Sequence, residues 1–164
     1  MGVIRMLFTE AVVLCAVFFM LCFLGTGTDA KNLKNYSSYP DEAQIRIRAI
    51  PEYQNQFKTK GQIATFITNF LLFLVILFFF GIFIRQGSFT HNFLSVLFLG
   101  QTLNVFDLIV IDLLWWRHTP RIRLSKVPQP DLYQNPRKHL YAFITAFIMF
   151  LAIALIDGYL LTLF

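Results

Sequence analysis

The stretch 92-NFLSVLFLGQTLNVFDLIVIDLLWW-116 decides the fold. It is long and apolar enough to cross a bilayer as a helix, which takes about 20 such residues for a hydrocarbon core of about 30 Å. Yet it carries Gln101, Asn104, Asp107 and Asp112 and ends in the paired indoles Trp115 and Trp116. Carboxyl groups inside a membrane are expensive to bury, and those that persist face a bundle interior, a watery cavity or a partner charge. Chemistry or coupling is therefore expected on this segment.

Three further runs of the same kind lie at about 3–24, 63–84 and 140–164. The chain is 57% hydrophobic and 14% charged, against about 25% charged for an ordinary soluble domain. These features predict an all-α fold: a four-transmembrane-helix bundle forming a single integral membrane domain over residues 1–164. Residues 25–62 and 117–139 are its two long loops. Cys15 and Cys22 both sit in the first run. As helical neighbours they lie about 10 Å apart, beyond disulfide reach, and read as buried apolar thiols.

The net charge of +5 is not a nucleic-acid signal, because placement explains it. Loop one holds Lys31, Lys34, Arg46, Arg48, Lys58 and Lys60, and loop three holds Arg117, Arg121, Arg123, Lys126, Arg137 and Lys138. Only Arg5 and Arg85 lie on the other side, a split of 12 to 2. The positive-inside rule then places both loops in the cytoplasm beside anionic headgroups and both termini outside a plasma membrane. Residues 1–30 also resemble a secretory signal, with Arg5, an apolar run and a small-residue segment at Gly25–Ala30. Cleavage there would leave three spans and put the six basic residues of loop three outside, so an uncleaved first helix is preferred. Asn35-Tyr36-Ser37 is a formal glycosylation sequon and is expected to go unused on a cytoplasmic loop.

Within loop one, Gly25 to Pro40 is rich in turn formers and is expected to be irregular. Pro51 suits the first turn of a helix. Pro51–Lys60 therefore reads as a short interfacial helix before span two, with Tyr53 and Phe57 facing lipid; a solvated linker is the alternative. Loop two, from Arg85 to His91, is short and makes an antiparallel hairpin of spans two and three. Pro120, Pro128, Pro130 and Pro136 in loop three favour an extended segment lying on the surface.

On an α-helical wheel of about 100° per residue, the four polar side chains of span three fall within an arc of roughly 140°. Counting back from Trp116, Asp112 lies about 6 Å deep and Asp107 about 13 Å, close to the midplane. Gln101, Asn104, Asp107 and Asp112 thus form a candidate intramembrane polar site, either a clamp between helices or a proton or cation site. Glu10 in span one and Asp157 in span four lie near the opposite face. Arg85 and His91 are their expected partners, in an outer ion pair or an entry vestibule. Trp115, Trp116, Arg117, Arg121 and Arg123 read as a lipid-interface group, since indoles and basic residues gather at headgroup level.

His91 falls on the outer side and His118 and His139 on the inner, so spacing assembles no metal site. HExxH, GxSxG, P-loop and CxxC motifs are absent from the sequence, and no cofactor is expected.

The segment Leu103-Asn-Val-Phe-Asp107-Leu-Ile-Val-Ile-Asp112, followed by Trp115-Trp116 and the basic run Arg117–Arg123, resembles a pattern in small bacterial integral membrane proteins of unknown function. In those proteins an Asn-x-x-Asp-x-x-x-x-Asp helix ends in aromatics and a basic loop. A Pro-Glu-Tyr-like segment precedes the helix, as Pro51-Glu52-Tyr53 does here, with Tyr133 and His139 as a further correspondence. The likeness extends from about Pro51 to the C-terminus. It departs in loop three, where Leu124-Ser125-Lys126-Val127 stands in place of a Gly-Thr-acidic turn. It implies a bacterial membrane protein but no activity.

Two function classes follow. The first is a non-enzymatic accessory, transport or sensing component that uses Asp107 and Asp112. The second is a small membrane enzyme at the cytoplasmic lipid interface, for which Asp112 and His118 are the acid–base pair within reach of headgroups. The expected partners are a bilayer with anionic headgroups and a membrane protein or second copy of the chain, with no nucleic acid. Orientation is testable directly. Cysteines introduced at Ser38 and Ser125 should label only from the cytoplasmic face and one at Arg85 only from outside; labelling of position 125 in intact cells overturns the assignment.

Overall fold

The computed structural model describes residues 2–57 and 61–163. It is 80% helical and, among the described residues, has no strands. The helices are α1 (Gly2–Leu24), α2 (Asp29–Lys34), α3 (Asp41–Arg48), α4 (Gln62–Ile84), α5 (Phe89–Phe106) and α6 (Arg137–Leu160). A π-helical segment, Asp107–Trp116, carries the third span on from α5. Four helices are long and apolar enough to cross a membrane, at Ile4–Leu24, Gln62–Ile84, Phe89–Trp116 and within Pro130–Leu160.

Contacts divide the chain into two compact units, the first made of 1–17, 61–106 and 143–164. This unit is a helical bundle whose outer surface is apolar: on α4, Ile63, Leu71, Val75 and Phe79 are all exposed. Such a surface is a liability in water and the natural one in lipid, where association relies on close packing and polar contacts. Small residues supply the closeness. A Cβ on Gly158 would lie 2.9 Å from the Phe93 Cα, and one on Gly100 would lie 2.9 Å from the Phe150 ring. Amides supply the polar contacts. Gln101 Nε2 donates to Phe147 O at 3.0 Å and Asn104 Nδ2 to Phe143 O at 3.2 Å, tying α5 to α6. The buried Asn92 closes the α4–α5 hairpin by pairing with both backbone groups of Gln86 at 2.8 Å.

The second unit comprises 18–60 and 107–142. It has a core of its own, in which Leu33, Tyr36, Tyr39, Ile47, Tyr53 and Tyr133 from the loops pack with Trp116. Three tyrosine hydroxyls fasten it. Tyr39 donates to Ile122 O at 2.6 Å, Tyr133 donates to Val127 O at 2.8 Å, and Tyr53 bonds Asp29. Each satisfies a group whose burial without a partner would cost about 1–3 kcal/mol.

This core overturns three expectations for the loops. Gly25–Pro40 is not irregular: Thr28 caps α2 by accepting from Lys31 N, and a 3-10 turn follows at Tyr36–Ser38. Pro51 starts only a single 3-10 turn, Pro51–Tyr53, in place of a helix to Lys60 (58–60 lie outside the described residues). Tyr53 is buried and Phe57 stacks on Tyr36, so neither ring faces lipid. Loop three does not lie on the surface. Pro120 and Pro130 each open a 3-10 turn, and these turns, with a one-residue bridge between Leu124 and Val127, bury Ile122, Leu124, Val127 and Tyr133.

The first unit makes a stability prediction. Gly158→Ala forces a methyl against the Phe93 backbone and should cost about 1–3 kcal/mol. Gly87→Ala, which meets nothing within 4 Å, should be neutral. Thermal unfolding in detergent checks the pair, and equal melting temperatures would contradict the packing.

Candidate functional site

The π-helical register is the local feature that builds the site. In a π-helix each N–H reaches back five residues, so side chains five apart stack on one face. Asp107 and Asp112 are five apart. In an α-helix they would diverge by about 140°; here they share a face of Asp107–Trp116. π-helical turns are uncommon and gather at functional sites.

Asp112 is paired. Its Oδ1 lies 2.9 Å from His139 Nδ1, and both side chains are largely sealed, with 14% and 8% of their surface exposed. The carboxylate accepts the Nδ1–H, which fixes the tautomer and leaves Nε2 as the reactive nitrogen. Nε2 is itself buried and meets no hydrogen-bond partner among the described residues. The Trp116 ring packs edge-on against the imidazole with centroids 6.2 Å apart. Asp107 lies within electrostatic reach of Asp112 and His139, and the Cys22 thiol within reach of both carboxyls.

The four-residue polar stripe is therefore divided. Gln101 and Asn104 belong to the first unit and clamp α5 to α6, whereas Asp107 and Asp112 belong to the second. His118 is not brought to Asp112: it is exposed, and its Nδ1 lies 2.8 Å from Leu114 O. His139 takes that place. Sequence reasoning noted His139 but paired Asp112 with His118, which is near it in sequence, whereas His139 lies 27 residues further on.

Among the described residues no ion pair joins Glu10, Asp157 and Arg85. Glu10 Oε2 and both carboxyl oxygens of Asp157 are buried without a hydrogen-bond partner, and Arg85 is exposed and in none of the ion pairs among the described residues. Arg85 follows the last residue of α4 in extended backbone and is exposed. His91 instead contacts Ser95.

The lipid-interface residues are also distributed differently. Trp116 is buried against Tyr39 and His139, while Trp115 packs edge-on against Phe19. Arg121 lays its guanidinium 3.9 Å over the Phe23 ring and donates to Phe23 O, closing the C-terminal end of α1. Lys31 Nζ serves the neighbouring carbonyl of Leu24 at 2.9 Å. Cations at the end of a helix satisfy orphan carbonyls and oppose its dipole. Gly27, with φ +104, leaves the space Arg121 occupies: a Cβ there would sit 2.7 Å from Cζ. Arg117 Nε is buried without a partner, whereas Arg123 contributes a backbone carbonyl to Asn32 at 3.4 Å.

One acid outside the spans also anchors structure. Burial works to raise the pKa of Asp29, but hydrogen bonds from the Ser125 hydroxyl, Tyr53 and the Ser125 backbone outweigh it, and Lys126 adds to them; the carboxyl is held below its usual range. Asp29 is thus a charged knot between loops one and three, missed in the sequence because its partners lie far along the chain. Among the described residues no three metal-ligating side chains converge. The chain matches no protein-family model, no curated protein and no solved structure.

Proposed function

We propose that this chain is a non-enzymatic membrane component, a sensing or accessory transport element, in which His139, Asp112 and Asp107 take up and release a proton. One observation carries the reading: the buried Asp112–His139 pair, with Nε2 unpartnered, on the face of the π-helical segment that also holds Asp107. A carboxylate on Nδ1 orients an imidazole and leaves Nε2 as the nitrogen free to exchange a proton. Histidine is the side chain whose charge ordinarily changes between about pH 5 and 8. A second carboxyl one π-turn away gives the proton another place to rest.

The basic loops support a cytoplasmic position for the paired residues, at the depth where span three meets headgroups. Part of that charge is already matched, since Lys126 pairs with Glu52 and Lys138 with Asp41. Such exposed pairs contribute little to stability. Arg121 and Lys31 are engaged at the end of α1 and Arg48 at Tyr36, which leaves residues such as Lys34, Arg46 and Arg137 for anionic lipid.

Trp116 offers a built-in reporter, because a protonated imidazole quenches an indole packed against it. In a Trp115→Phe variant, where Trp116 is the one remaining tryptophan, emission should fall reversibly as pH drops from about 8 to 5. His139→Gln should abolish the change, and Asp112→Asn should move it. Emission that does not respond to pH, or responds equally without His139, would contradict the proposal.

A further inference from the structure

The first unit holds a cleft of about 370 Å³ with an acid at its floor. Met6 and Val13 of α1 and Phe79, Phe80 and Phe83 of α4 wall it, around Glu10. Glu10 is 9% exposed, and its Oε2 is buried with no donor within reach among the described residues. The neighbouring Thr9 hydroxyl is spent on Arg5 O at 2.9 Å. Among the described residues of the wall Glu10 alone is titratable, and neither Arg5 nor Arg85 is in an ion pair with it among the described residues.

An apolar cleft could simply be filled by an acyl chain, but a lipid tail leaves the carboxyl unsatisfied, at the full cost of burying it. A compact cation with apolar substituents satisfies every wall at once. Its charge meets the carboxylate, and its substituents and charge meet the ring faces of the phenylalanines, which attract cations. The volume falls within the roughly 300–1,000 Å³ of small-molecule sites. A second cleft beyond Phe79 holds Asp157, but at about 220 Å³ it is below that range. Met6, Val13, Phe79 and Phe83 are all exposed on the outer surface of the bundle, so the cleft opens where lipid would lie.

We propose that the Glu10 cleft binds a lipophilic cation that enters from the bilayer and pairs with the Glu10 carboxylate. This goes beyond the proton chemistry of Asp112 and His139 and rests on different residues. Tetraphenylphosphonium is the probe, with the full chain in lipid nanodiscs and equilibrium dialysis as the measurement. Saturable binding near one per chain is expected, and Glu10→Gln should weaken it by about tenfold or more. That variant removes a buried charge and should fold at least as well as the parent. Uncharged triphenylphosphine should show no saturable binding, and Asp157→Asn should stay within about twofold of the parent. Absent saturable binding, equal binding by Glu10→Gln, saturable uptake of the uncharged probe, or an equal loss in Asp157→Asn would each overturn the assignment.

Discussion

The contact between Asp112 and His139 is what the proposed function depends on. A buried carboxylate is costly to leave without a partner. The imidazole at the start of α6 meets it at 2.9 Å, and removing either partner would strand the other in a sealed site. Two local features make the meeting possible. The π-helical turns of Asp107–Trp116 align Asp112 with Asp107, and Trp116 at the end of those turns packs on the imidazole.

Around this pair the loops do more than connect spans. Their tyrosines, each with an apolar ring and one hydroxyl, build a core that keeps its polar tips satisfied. Arg121, Lys31 and Thr26 close the carbonyl end of α1, so the helix leaves its apolar run without orphaned acceptors. The Asp29 knot then ties loop one to loop three through Ser125 and Tyr53.

The spans were legible because a bilayer leaves the backbone few solutions. Four runs of apolar residues gave four helices with ends within a few residues of those expected. Gln101 and Asn104 stood out as amides on an otherwise apolar helix, and both bond carbonyls of α6. What failed has a common cause: local pattern says nothing about partners far along the chain. The loop core joins Tyr39 to Ile122 and Tyr53 to Ser125 across more than seventy residues, and no periodicity announces it. The π register was invisible because hydrophobic residues surround that segment on all sides, so the wheel gave no sign of the change in period. Arg85 was assigned to Glu10 and Asp157 by charge alone, but it is exposed while both acids are buried.

Two unusual acids, Glu10 and Asp157, thus remain in apolar clefts of the bundle, while Asp112 is matched to its histidine. We propose that the matched site exchanges a proton and that the Glu10 cleft takes a ligand. The most direct test of the first is the imidazole itself. Nitrogen-15 NMR of histidine-labelled protein in nanodiscs, followed from about pH 5 to 8, reads each ring nitrogen separately. The His139 signals should show Nδ1 protonated throughout and Nε2 gaining and losing its proton reversibly. A neutral ring with its proton on Nε2, or a ring that never changes protonation across that interval, would contradict the account.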